Sequence, residues 1–363
     1  MQYNYVIISI MIDFLSRKYK PYKFYIQISL ITVLLFLLYF FLPVNTKSET
    51  FYLHTSKPSE IIETLKKHNY PVTALDKILL SLLKIPQKGW YTTNTKYKSR
   101  LSFFSHLHQM KTDALMHIVI YAGETKEEIG KRLANDTKLS KEKLLEHYNR
   151  LSRFKEGDIL ADRYKIARKA KEYAVIQYLF DISSKRMKPY EKIDISIGHK
   201  KRDLRELLII ASIIQKESNS VSEMPLISAV IHNRLNKNMY LQMDATLNYG
   251  PYAHSVVDTS RIKYDTSAYN TYKHKGIPPH PLCAVTLQAL HATIHPADKP
   301  YLFFMLTPTG THSFSQTYKE HLQKIALFRE YRAKQKQIKL LENNESNISN
   351  EPIDTDTFKS PKP

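Results

Sequence analysis

The chain is short of several residue types, and each shortage closes off some chemistry. Cys283 is its one cysteine, so no intramolecular disulfide and no cysteine-based zinc site can form. Glycine is scarce at 8 residues, and no glycine-rich phosphate loop occurs. The 15 histidines include no H-E-x-x-H or comparable ligand spacing, so no metal and no cofactor are expected. Acidic residues are too few to balance the basic ones. There are 34 Asp and Glu against 54 Lys and Arg, a formal net charge of +20. That excess calls for an anionic partner, but charge alone does not choose between nucleic acid, an anionic membrane and an acidic polymer.

What is present begins at the N-terminus. Residues 24–42, FYIQISLITVLLFLLYFFL, carry no charge and have the length needed to cross a bilayer's hydrocarbon core. Arg17, Lys18, Lys20 and Lys23 precede the run, which predicts a cytoplasmic segment over 1–23 and an outer side for everything after residue 43. No small-x-small cleavage site comes after it, so a single-pass anchor is expected rather than a removed signal peptide. The shorter run YVIISIMI (5–12) cannot span, and Met11 is an alternative start. An exported chain has no use for nucleic acid, so that partner is set aside.

The rest of the chain predicts a mixed α+β protein. Residues 47–115 read as a small αβ unit with helical spacing at 61–68 and 75–83, separated by the turn NYPV. Residues 116–332 read as a larger mixed α+β unit. It has a strand at 117–123 and a helix at 125–134 with a capping box between Thr125 and Glu128. Helices at 204–218 and 223–235 come next, then long loops rich in Tyr, Pro and Asn to about 281. A helix (284–294), a strand (301–306), a turn at Thr309-Gly310 and a helix (317–332) close the unit. Loops of that length in a compact unit are usually functional. Residues 340–363 are polar and predicted to be disordered.

One stretch stands out. LIIASIIQKESNS (208–220) is core-like and then turns polar. Helical spacing puts Glu217 over Ile210, Ile213 and Ile214. A carboxyl against that surface loses solvation in its charged form, which raises its pKa and suits a general acid. A solvated Glu217, or one paired with Lys216 or Arg234, is the competing reading of the same spacing.

ASIIQKES resembles the A-S-I-V-E-K-E-T signature of the MltG-like (YceG family) endolytic murein transglycosylases. Further blocks match in the same order: LQMDATLNYG (241–250), SAYNTYKHKGIPPHPL (267–282), HPADKPYLFFM (295–305) and HSF (312–314). EGDILADRY (156–164) and YAGETKEEIGKRL (121–133) resemble upstream family segments more loosely. The resemblance implies an N-terminal transmembrane helix, a small LysM-like domain over 47–115 and a catalytic domain over 116–332. It also implies cleavage of peptidoglycan within the glycan strand, between N-acetylmuramic acid and N-acetylglucosamine, leaving 1,6-anhydro ends.

The family signature has two glutamates. This chain has Gln215 at the first and Glu217 at the second, so the catalytic role carries to Glu217. Gln242, Asp244, Thr246 and His312 stand at positions matching the family's blocks. Tyr249, Tyr269, Asn270 and Tyr272 in those blocks offer aromatic faces and an amide to sugar rings, so these eight are the candidate substrate-binding residues. A turn or helix-cap role for Asp244 and structural roles for the Tyr and Asn residues are the competing readings. Ala245 departs from the family's commoner Pro, and His280 replaces a small residue in the groove. Implied partners are peptidoglycan strands, the inner membrane and peptidoglycan synthases. A glycan-binding protein without catalysis, and a muramidase in which Asp244 helps water attack, remain the alternatives.

Overall fold

The structure, a computed structural model, describes residues 2–44, 48–93, 97 and 99–348. Among the described residues the chain is mixed α+β, with helices and four two-stranded sheets, and it divides into two units. The first comprises Met1–Ile118, Leu133–His147 and Tyr164–Tyr178; the second comprises Val119–Arg132, Tyr148–Arg163 and Leu179–Pro363. The two units interleave along the chain.

The first unit starts with helix α1 (Gln2–Phe41), which carries both N-terminal apolar runs on one element. Its segment Tyr22–Phe41 has a mean hydropathy of 2.2 and is apolar and long enough to cross a membrane. The end of α1 does not stand clear as a stalk. Phe40 and Val44 are buried with Phe51, Leu65, Leu80 and Phe103 in the first unit's core. Tyr39 donates its hydroxyl to Asp76, and the Arg100 guanidinium lies over its ring at 4.6 Å.

Around that core β1 (Thr50–Leu53) and β2 (Gly89–Thr92) pair antiparallel from Thr50↔Thr92 to Leu53↔Gly89. Helices α2 (Pro58–Lys67) and α3 (Ala74–Leu82) lie between them in sequence. Thr73 caps α3 in a reciprocal capping box with Asp76. Asp76 is buried and accepts a 2.6 Å hydrogen bond from Arg100 in α4 (Arg100–His106), so the buried carboxylate has a charged partner. Next in sequence come β3 (Leu115–Ile120), α5 (Lys126–Thr137), α6 (Lys141–Leu151), β4 (Asp162–Ala167) and α7 (Glu172–Met187). Thr125 and Glu128 make the expected capping box at the start of α5.

The second unit is built on one helix. A short hairpin, β5 (Ser196–Ile197) and β6 (Lys200–Lys201), leads into α8 (Leu204–Glu217). Asp203 caps α8 by accepting from Glu206 N. Every α8 residue from Leu207 to Gln215 is buried, which makes it a central helix rather than an amphipathic one. It packs against α9 (Met224–Asn236) and α11 (Leu287–Ile294) in a core that includes Ile210, Ile213, Ile214, Val230, Leu282 and Leu290.

Two polar side chains within α8 hold the segment before α11. Ser212 Oγ accepts from Leu282 N at 2.9 Å, and Gln215 Oε1 accepts from Thr286 N and Oγ1 at 3.1 and 2.8 Å. Thr286 also caps α11, so this helix starts at Leu287 and not at the expected residue 284. A short helix α10 (Thr259–Tyr264) interrupts the long loops. Strands β7 (Phe303–Leu306) and β8 (His312–Ser315) form the predicted hairpin, turning at Gly310 with φ +82°. Helix α12 (Tyr318–Ile348) outruns the expected end at 332. It takes in residues 340–348, which the sequence assigned to a disordered tail; the remainder of that tail lies outside the described residues.

Candidate active site

Glu217 is the last residue of α8, at the point where the buried helix gives way to extended backbone at Ser218. The apolar body of α8 fixes where that residue emerges. Its Oε1 accepts from Ala245 N at 3.3 Å, in a 3-10 turn formed by Asp244–Thr246. Burial is the main influence on this carboxyl and pushes its pKa up to about 7. The Ala245 N–H opposes the rise, and the nearby Asp244 charge adds to it.

Two cavities share Glu217 and Asp244 as walls. One, of about 350 Å³, also presents Arg234, Gln242, Tyr272 and His312. The other, of about 340 Å³, also presents Gly123, Lys216, Asn219 and Asn248. Glu217 and Asp244 therefore border both spaces.

The expected binding residues fall into two sets. Gln242, Asp244, Tyr272 and His312 join Glu217 around the first cavity. Tyr272 donates its hydroxyl to Asp244 Oδ1 at 2.6 Å. Burial first, and then that hydrogen bond, hold the phenol well above its ordinary pKa. His312 Nδ1 lies 2.8 Å from Glu223 Oε2, and Glu223 Oε1 accepts from His312 N at the same distance. A carboxylate can only accept, so Nδ1 carries the proton of this hydrogen bond. Burial raises the Glu223 pKa, but hydrogen bonds from His312 and Ser218 outweigh it and leave it lowered.

The other four residues are placed elsewhere. Asn270 is fully buried: Nδ2 donates to Ile262 O and Asp265 O, and Oδ1 accepts from Tyr272 N. Both N–H groups of its amide and one lone pair of its oxygen are spent on folding the loop. Thr246 is buried too, donating to Met243 O and bonding the Thr271 hydroxyl. Tyr249 and Tyr269 stack on each other, with ring centroids 4.2 Å apart and planes 20° apart.

Several positioning residues escaped the sequence reading. Thr271 joins the two loops: its carbonyl accepts from Gln242 N, and its hydroxyl accepts from Met243 N at 3.1 Å. That stitching brings Tyr272 to Asp244. Arg234 donates to Leu302 O and Leu241 O, both at 2.6 Å, tying α9 to the edge of the cavity. Its neighbours His232 and Asn233 bond carbonyls of Thr293, Lys299 and Tyr301. Three consecutive polar residues within an otherwise apolar helix were the available signal. Glu223, which holds His312, gave none. Among the described residues no three His, Cys, Asp or Glu side chains cluster as metal ligands would.

Comparison with known proteins points to one family. A family profile described as YceG-like matches residues 54–327. The chain is 34% identical over 125 residues to an endolytic murein transglycosylase of Bacillus subtilis (strain 168), covering 33% of this chain and 34% of that protein. It is 28% identical over 177 residues to an endolytic murein transglycosylase of Streptococcus pneumoniae serotype 2 (strain D39), covering 47% of this chain and 32% of that one. The aligned stretches thus span about a third of the curated relatives. A crystal structure of a putative YceG-like protein from Listeria monocytogenes is 23% identical, with a TM-score of 0.48, covering 76% of this chain and 99% of that chain. The profile match runs through both units and well over half of the residues, and on that ground the chain belongs to the YceG-like family.

Proposed function

We propose that this protein is an endolytic peptidoglycan lytic transglycosylase in which Glu217 is the general acid and then the general base. The observation that carries the proposal is one carboxyl, raised to about pKa 7, on the shared wall of two cavities. The names of the relatives support the substrate.

In the first step Glu217 gives its proton to the glycosidic oxygen that leaves with N-acetylglucosamine. The bond from C1 of N-acetylmuramic acid breaks and positive charge spreads over C1 and the ring oxygen. Glu217, now a carboxylate, takes the proton of the same sugar's C6 hydroxyl, whose oxygen closes on C1. The anhydro product forms, the enzyme regains its proton, and no water is consumed. Gln242, Asp244, Tyr272 and His312 are the groups proposed to orient the sugars. Asn270 and Thr246 are proposed to act only by holding the loops.

The β1–α2–α3–β2 order supports reading the first unit's N-terminal part, 47–115, as LysM-like and glycan-binding, with 116–332 as the catalytic region. Residues 24–42, most of which lie in the apolar helix segment Tyr22–Phe41, are proposed as a single-pass inner-membrane anchor with residues 1–23 in the cytoplasm and the catalytic region outside. The positive charge then faces an anionic leaflet and acidic peptide stems, with peptidoglycan synthases as the neighbours whose nascent strands are cut or released.

Because Phe40 and Val44 belong to the first unit's core, the assay uses the full chain in detergent, not a version cut at residue 47. Peptidoglycan digested by it is expected to carry 1,6-anhydro ends by mass spectrometry, and Glu217→Gln is expected to yield none. Reducing ends in their place would make the protein a muramidase. Cleavage by the variant would remove Glu217 from the mechanism, and a folded wild-type chain that binds without cutting would leave only glycan binding.

A further inference from the structure

A third cavity, about 890 Å³, does not include Glu217. It is walled by the continuation of the same chain segment. Gln242 and Asp244 border the first cavity, Asp244, Ala245 and Asn248 the second, and Thr246, Leu247 and Tyr249 the third. Thr246, on the third cavity, comes directly after Asp244 and Ala245, which wall the cavities at Glu217. One segment therefore lines three successive spaces, which is how a site meets a polymer and not a single small molecule.

The lining chemistry selects what kind of polymer. Tyr252 and Tyr264 are 56% and 68% exposed, unusual for aromatic rings on a cavity wall. Arg261 covers one face of Tyr252 at 4.3 Å and Lys263 one face of Tyr264 at 5.3 Å, so each ring keeps its other face. Tyr249 and Tyr269, stacked on each other, form a stiff side wall. Ser260 and Thr266 add hydroxyl groups. The charged side chains on the wall are Arg261 against Asp258 and Asp265, and the guanidinium is already tied to Leu247 O, Asn248 Oδ1 and Ser255 Oγ. An anionic ligand gains little there. Free aromatic faces, hydroxyls and no surplus positive charge suit a neutral sugar ring, whose apolar C–H face lies on an aromatic plane.

We infer that this cavity is a distal saccharide subsite, holding N-acetylhexosamine units of a long glycan while Glu217 acts on an internal bond. The inference rests on the proposed transglycosylase function and adds the preferred substrate: long strands over short ones.

The test compares full-length wild type, Tyr252→Ala, Tyr264→Ala and Tyr264→Trp in detergent on uncrosslinked peptidoglycan tetrasaccharides and on long strands. Both rings are exposed, so the fold tolerates the changes. With either alanine variant, kcat/KM on long strands should fall about tenfold, the scale of one lost aromatic contact. Activity on tetrasaccharides should be unchanged, and Tyr264→Trp should keep the long-strand rate. Equal losses on both substrates, or no loss on long strands, would overturn the subsite. If wild type cleaves neither, the transglycosylase reading fails separately. Calorimetry of long N-acetylglucosamine oligomers then decides the subsite: weaker binding by Tyr264→Ala supports it and equal binding overturns it.

Discussion

Replacing Glu217 by glutamine should abolish activity and also stabilise the protein, but only above a certain pH. A glutamate carboxyl ordinarily titrates near 4.5, and burial moves Glu217 to about 7. Its folded-state pKa is raised, so the folded form binds the proton more tightly than the unfolded chain. Stability is therefore lost as pH rises from about 4.5 toward 7, and the loss levels off above that. The gap between the two values corresponds to about 3 kcal/mol. The substituted amide keeps an oxygen for the Ala245 N–H but cannot ionise, so it escapes most of that cost. Allowing for relaxation and water entry, Glu217→Gln should be more stable than wild type by about 1–3 kcal/mol at pH 8, with no gain near pH 4. Thermal unfolding of both full-length proteins in detergent across this range measures it. A gain of the same size at every pH, or none at pH 8, would mean that the carboxyl is not desolvated, and the acid role would lose its physical basis.

Other consequences can be measured in the same assays. Asp244→Asn removes a charge that helps raise Glu217, so the high-pH limb of kcat/KM should move to lower pH. Tyr272→Phe breaks the 2.6 Å bond to Asp244 and should lower kcat about tenfold with the fold intact, as judged by circular dichroism. Asn270→Ala leaves backbone groups of Ile262, Asp265 and Tyr272 without their partner and should destabilise the protein by about 2–3 kcal/mol in urea unfolding. Gly157→Ala forces a side chain onto a backbone with φ +76° and a Cβ 3.0 Å from Pro281, so a loss of about 1–2 kcal/mol is expected in the same unfolding experiment.

The residues that could be placed from sequence are those fixed by local periodicity. Glu217 comes after three isoleucines at helical spacing, and α8 has both the cap at Asp203 and the end that spacing implies. Asn270 shows the opposite case. A polar residue in a polar loop looks ready for a sugar, yet whether its amide meets solvent or carbonyls depends on how 262–272 folds back. Here it meets the carbonyls of Ile262 and Asp265. Tyr249 and Tyr269 are 20 residues apart, so nothing local says that their faces meet. An apolar run likewise says nothing local about what its end packs against, and only the packed unit places Phe40 and Val44 beside Phe51 and Leu80.

The same short turn acts on Glu217 in opposite directions, and that opposition fits the proposed reaction. The Ala245 N–H favours the carboxylate, whereas burial and the Asp244 charge favour the acid. A general acid or base works best with its pKa near the working pH, where the required form is populated and the proton transfer is still driven. In an intramolecular cyclisation one carboxyl must be protonated at bond breaking and ionised immediately afterward. A pKa of about 7 leaves both forms accessible near neutral pH. An inverting hydrolase divides the two roles between two carboxyls. The second carboxyl on this wall, Asp244, has one oxygen engaged by Tyr272 at 2.6 Å, so it is better placed to orient and repel than to activate water.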